Sequence, residues 1–241
     1  MSNSIWSFAN PAKFMRLSGA ILPVSAALAV AGLAVGLGWA LFATPPDAKH
    51  GEAVKLMFVH VPAAFFAINI YAMMVVASLI GLIRRHPVSH LAAKAAAPIG
   101  AAFTVLAIVT GALWGMPGWG TWWEWDARLT SILILLFFYL GYIALWNAIE
   151  DPLKAPELAA ILCLVGSVFA FLARYASTFF YTLHQGSSLS VDQETNVDNA
   201  YYIPLLIMMA AFFFVFLTLL LVSVRTEIRS VRIRRLRQQL A

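Results

Sequence analysis

Six apolar runs, at residues 17–43, 56–83, 95–116, 129–149, 158–183 and 200–224, take up most of the 241-residue chain. Each is long enough to cross a hydrocarbon core of about 30 Å at about 1.5 Å of helix rise per residue. Lipid offers no partner for backbone amides and carbonyls, and no alternating pattern marks a barrel strand, so the runs must be helices. The expected fold is an all-α polytopic membrane protein with six transmembrane helices, one integral membrane domain over residues 1–241. Only 11% of residues are charged, too few to solvate the surface of a water-soluble domain. The first run is too long for a signal-peptide core and reads as a retained span. No internal repeat or low-complexity segment interrupts the pattern.

The basic residues fix the expected orientation. Lys13, Arg16, Arg84, Arg85, Lys94, Lys154 and the series Arg225, Arg229, Arg232, Arg234, Arg235 and Arg237 all fall on one side of a six-span arrangement. The other side has Lys49, Lys55 and Arg128, with Arg174 inside the fifth run. The basic side is expected to be cytoplasmic, with both termini inside. A formal charge of +5 therefore reflects topology and attraction to anionic membrane lipid, and no nucleic-acid partner is expected. The external segments are then a Trp-rich loop, 114–128, and a second loop, 181–199.

Five tryptophans, Trp114, Trp119, Trp122, Trp123 and Trp125, fall within twelve residues of that first segment. An aromatic belt needs only scattered anchors at headgroup level, so this density asks for more. On a helix, Trp119, Trp122, Trp123 and Asp126 would form one stripe, a shelf on which a flat apolar ligand can stack. Gly115, Pro117, Gly118 and Gly120 are expected to break the chain first, leaving a loop that leads into the fourth helix. Asp126 is placed to cap that helix, and Arg128, in its first turn, either pairs with Asp126 or takes an anionic group of the ligand. Glu124 is expected to point to solvent.

Two histidines are expected at the same level. His60 lies one turn inside the outer end of the second run, and His184 follows the fifth. Either alone has an ordinary structural reading. Together, two neutral imidazoles are the usual axial donors to haem iron. His50 is a weak third candidate, whereas His86 and His90 read as loop residues beside Pro87. Asn69 is expected to bond between helices, and Arg174 to face a partner or a cavity. The single cysteine, Cys163, allows no intrachain disulfide, and no Cys-x-x-Cys-His attachment motif occurs. There is no phosphate loop, zinc-protease motif or nucleophile elbow.

The run Trp119-Gly120-Thr121-Trp122-Trp123-Glu124-Trp125-Asp126 resembles the WWD motif of haem-handling proteins in cytochrome c biogenesis. Its continuation, Ala127-Arg128-Leu129-Thr130-Ser131, is similar to the CcmC branch, the haem exporter protein C family. The haem-lyase branches continue with proline after the aspartate and have more spans. The resemblance extends over essentially the whole chain. It implies a non-enzymatic protein that holds haem b at the periplasmic face of the bacterial inner membrane. It implies His60 and His184 as axial ligands, and Trp119, Trp122, Trp123, Trp125, Asp126 and Arg128 as the surrounding site. It also implies delivery to a CcmE-type haem chaperone, beside an ABC ATPase, its membrane subunit and a small helical subunit. Two other functions compete. A membrane b-type cytochrome would exchange electrons without losing haem, and a secondary transporter would carry a small solute through a midplane site.

Overall fold

The computed structural model describes residues 10–184 and 198–240. Six helices form the bundle: α1 (Pro11–Phe42), α2 (Met57–Arg84), α3 (Pro87–Trp119), α4 (Ala127–Ala148), α5 (Lys154–Phe179) and α6 (Asn199–Leu240). A short 3-10 turn, Glu52–Leu56, leads into α2. All six are long and apolar enough to cross a membrane, and no strand occurs among the described residues.

The middle of the chain makes the middle of the bundle. α2 packs on α3, α5 and α6, and α3 packs on α2, α4 and α6, while α1 leans chiefly on α6. In the most apolar stretch of α3, 50% of residues are buried, against 17% in α1, so α2 and α3 are the central pair. Small residues let the helices approach. Ala159, Cys163, Gly166, Ala170 and Ala173 alternate at four and three residues along α5 and are buried. Tyr139 of α4 lies wholly buried and donates to the Ala67 carbonyl of α2 at 2.7 Å, which satisfies its hydroxyl inside the bundle.

Several boundaries differ from those expected. Pro87 starts α3 instead of breaking it. His86 caps the helix by accepting from the Ser89 amide at 3.1 Å, and Pro87 takes the first-turn position, where its missing N–H costs nothing. His90 is therefore a helical residue, not a loop residue. Asn69 also departs from expectation: its amide donates at 2.8 Å to the Phe65 carbonyl of its own helix. α5 stops at Phe179, four residues early. α6 continues far beyond residue 224 and carries the basic series on 42 helical residues.

The two ends of the bundle differ in chemistry. The ends of α1, α3 and α5 and the starts of α2, α4 and α6 gather at one end, which holds the Trp-rich segment. At the other, Lys94 of α3 pairs with Glu227 of α6 at 2.8 Å. A cleft of 310 Å³ opens there, lined by Pro98, Tyr142, Trp146 and Asn147 among others. It lies at the end of the bundle opposite the Trp-rich segment.

Candidate functional site

The Trp-rich segment is short and is not a helix. α3 runs through Gly115, Pro117 and Gly118 to Trp119 and stops at Gly120, whose φ of 76° suits a residue without a side chain. Residues 121–126 are irregular, so the non-helical part is narrower than the expected 114–128. The expected single stripe of Trp119, Trp122, Trp123 and Asp126 does not form. The indoles divide instead: Trp119 lies against His184, with ring centroids 4.7 Å apart. Trp123 meets Trp125 edge-on at 5.6 Å, and Trp122 and Trp125 remain 56% and 73% exposed. Thr121 braces the turn by donating to the Trp123 carbonyl at 2.8 Å. Glu124 is exposed, off the indole contacts.

Asp126 holds this end together. Its Oδ1 accepts from the Leu129 amide at 2.8 Å and so caps α4, as its place before an apolar run suggests. Its Oδ2 accepts from the Leu183 amide at 3.2 Å and lies 3.7 Å from His184 Nδ1. One nearly buried carboxylate thus ties the start of α4 to the strand of chain leaving α5. Of the alternatives for Arg128, the ion pair with Asp126 is not made among the described residues. Arg128 turns to α5, where its Nη2 donates to Ser177 Oγ at 3.2 Å. Burial, and after it the Arg128 charge, push the His184 imidazole down to about 4, against the opposing pull of Asp126. His184 is therefore neutral near pH 7. Residues 185–197, most of the second external segment, lie outside the described residues.

His60 has a defined proton. Its Nδ1 lies 2.9 Å from the Ala107 carbonyl of α3. A carbonyl only accepts, so Nδ1 carries the hydrogen and Nε2 keeps its lone pair. Gly111 makes room for the ring, since a Cβ there would stand 2.7 Å from His60 Cε1. His60 and His184 are at the same end of the bundle and within electrostatic range of one another. Among the described residues, no three histidine, cysteine or acidic side chains gather as a metal cluster.

Two neighbours complete the surroundings of His60, Trp114 and His50. Trp114, inside α3, stands between two histidines, 5.7 Å from His60 and 5.6 Å from His50 by ring centroids. His50 is held in turn by Asp47, whose carboxylate accepts from its Nδ1 at 2.9 Å. Amides of His50 and Lys49 also donate to Asp47, and these bonds hold its carboxyl below the usual range. The Asp-x-x-His spacing was the available signal for that turn. Nothing in the sequence signals the roles of Gly111 or Ser177, because both are defined by a neighbouring helix.

A WWD segment carried on six membrane-crossing helices places the chain among the polytopic, WWD-bearing membrane proteins. Comparison with known proteins narrows that class. The family model for haem exporter protein C, CcmC, matches residues 4–239. The haem exporter protein C of Rhodobacter capsulatus is 58% identical over 237 residues, 98% of each chain. That of Paracoccus denitrificans is 60% identical over 231 residues, 95% of each chain. That of Escherichia coli K12 is 40% identical over 235 residues, 98% of this chain and 95% of its own. The chain belongs to the haem exporter protein C family.

Proposed function

We propose that this protein binds haem at the periplasmic surface of the bacterial inner membrane and passes it to a CcmE-type chaperone during cytochrome c maturation. It does so beside an ABC ATPase, a membrane subunit and a small helical subunit, and it makes or breaks no bond of the porphyrin. The observation that carries the reading is the pair of imidazoles at one end of the bundle. His60 has its lone pair on Nε2, and His184 has its Nδ1 turned toward Asp126, which favours a lone pair on Nε2 there as well. The porphyrin supplies iron with two open axial positions, so two protein ligands suffice.

Each residue then has a task. His60 and His184 would hold the iron, each through its Nε2. Trp119 and Trp114 buttress the two imidazoles, and exposed Trp122 and Trp125 would cover the porphyrin edge, with Trp123 edge-on against Trp125. Asp126 keeps His184 in place, and Arg128 neutralises a propionate. His184 lies beyond the end of α5, outside any helix, and is the ligand that yields during transfer. Haem fits this end chemically: neutral nitrogen donors, indole faces and a cation lie together.

The test is the haem spectrum of the purified protein, with and without the chaperone, for wild type, His60→Ala and His184→Ala. Each variant should retain less haem and show an altered Soret band. Unchanged haem content and spectra in both variants would remove the ligand assignment. Fast electron exchange with quinol and no haem loss to the chaperone would favour an electron carrier instead.

A further inference from the structure

We propose that Arg174 and Arg128 together form a subsite for an oxyanion borne on an apolar body, open to the flank of α5 near its Trp-rich end. Arg174 stands five residues before Phe179, the last residue of α5, about 7.5 Å from that helix end. Its side chain is exposed on the flank, with the guanidinium 5.7 Å from the Tyr175 ring centroid. Arg128 reaches the same face from α4. It binds Ser177, which is three residues beyond Arg174 and thus its neighbour on the helix surface. Among the described residues, no carboxylate comes within ion-pair distance of either guanidinium. Arg128 Nε is buried and has no hydrogen-bond partner. Asp126 attracts Arg128 from beyond ion-pair distance and Arg174 repels it, and one carboxylate already engaged by two amides leaves the pair of guanidiniums short of counter-charge.

The surroundings define the kind of anion. Phe171, Tyr175 and Phe179 recur every four residues along the flank and are 53%, 45% and 61% exposed. The Phe171 ring lies 4.8 Å from that of Tyr175 and 6.3 Å from that of Phe179, so the three make a continuous aromatic strip. A strip of this kind ending in two cations suits a molecule with an apolar body and an acidic group. Two sources share that chemistry: the propionates of haem and the phosphate of an anionic phospholipid. For haem, the subsite would receive the propionates at the side of the bundle, with Arg128 between the flank and His184. That part rests on the haem-binding reading.

The experiment uses the full chain in nanodiscs of phosphatidylcholine, alone or mixed with phosphatidylglycerol. Haem and haem dimethyl ester, which lacks free carboxylates, are titrated by absorbance into wild type, Arg174→Gln and Arg174→Lys. Retained phosphatidylglycerol is measured by native mass spectrometry, and helix content by circular dichroism. For a propionate, Arg174→Gln should weaken haem binding by about tenfold. Arg174→Lys should recover part of this, and the ester should bind wild type and Arg174→Gln equally. For a lipid phosphate, haem affinity holds while Arg174→Gln loses its phosphatidylglycerol. Equal haem affinity and equal lipid retention in wild type and Arg174→Gln would overturn the subsite. If wild type takes up neither haem nor its ester, the haem-binding reading fails, and lipid retention alone decides the arginine pair.

Discussion

Asp126 accepts a hydrogen bond from the Leu183 amide at 3.2 Å, although Leu183 lies 57 residues further along the chain. The same carboxylate caps α4 and faces His184. A single side chain thus links the capping of α4, the chain leaving α5 and the imidazole next to it. Asn and Ala at position 126 should separate these tasks. Asparagine caps helices nearly as well as aspartate, so Asp126→Asn should melt close to wild type by circular dichroism. Asp126→Ala should lose about 1 kcal/mol of helix-end stability. Both should retain less haem, because neither keeps a carboxylate before His184. Wild-type haem retention in Asp126→Ala would show that His184 does not depend on this anchor.

The His60 ring is held from one side by the Ala107 carbonyl, leaving Nε2 as the donor atom. His60→Gly should lose the Soret band, and millimolar imidazole should restore part of it by filling the same space. Failure of imidazole, alongside rescue in a His184→Gly variant, would mean that the His60 site is packing rather than ligation.

Gly111 offers a subtler probe, since it has no donor atom of its own and acts only through the His60 ring it borders. A methyl group there falls 2.7 Å from His60 Cε1, so Gly111→Ala must displace the ring or the helix. The cost of overpacking is about 1–3 kcal/mol. Haem affinity should drop while helix content by circular dichroism stays within error. Unchanged affinity would place the His60 ring away from the iron.

The Lys94–Glu227 pair serves as the control at the far end. Both side chains are 24% exposed and join α3 to α6. Glu227→Gln should reduce thermal stability by about 1 kcal/mol or less, as partly exposed pairs do. It should leave the haem spectrum unchanged. Its stability loss should add to that of Asp126→Ala, since the two sites share no partner. A changed spectrum in Glu227→Gln would mean that the two ends are coupled through the bundle.

The six helices were legible because lipid forces long apolar runs into one conformation. Asp126 as a cap was legible for a similar reason: an aspartate directly before an apolar run has few other tasks. The misjudged positions turn on a backbone conformation or a partner that residue spacing alone does not fix. Pro87 reads as a breaker until His86 is seen to cap the helix beginning at it. Trp119, Trp122 and Trp123 have helical spacing, but the left-handed Gly120 separates the first from the others. Arg128 has an acid two residues away and instead chooses Ser177 on another helix, 49 residues distant. Local spacing predicts contacts within a turn, and this site is built mostly between helices.

The 42 residues of α6 span about 63 Å, roughly twice a bilayer's oily interior. Near its first turn, the Tyr201 hydroxyl donates to the Pro46 carbonyl at 3.4 Å, in the loop that carries His50. Toward its other end, Arg225 grips the Met15 carbonyl of α1 at 2.6 Å. Pro204 sits close to the start, and the helix continues without a further proline to Leu240. One helix therefore meets the His50 loop near one end of the bundle and α1 toward the other, so a shift of α6 along its axis has to break contacts at both.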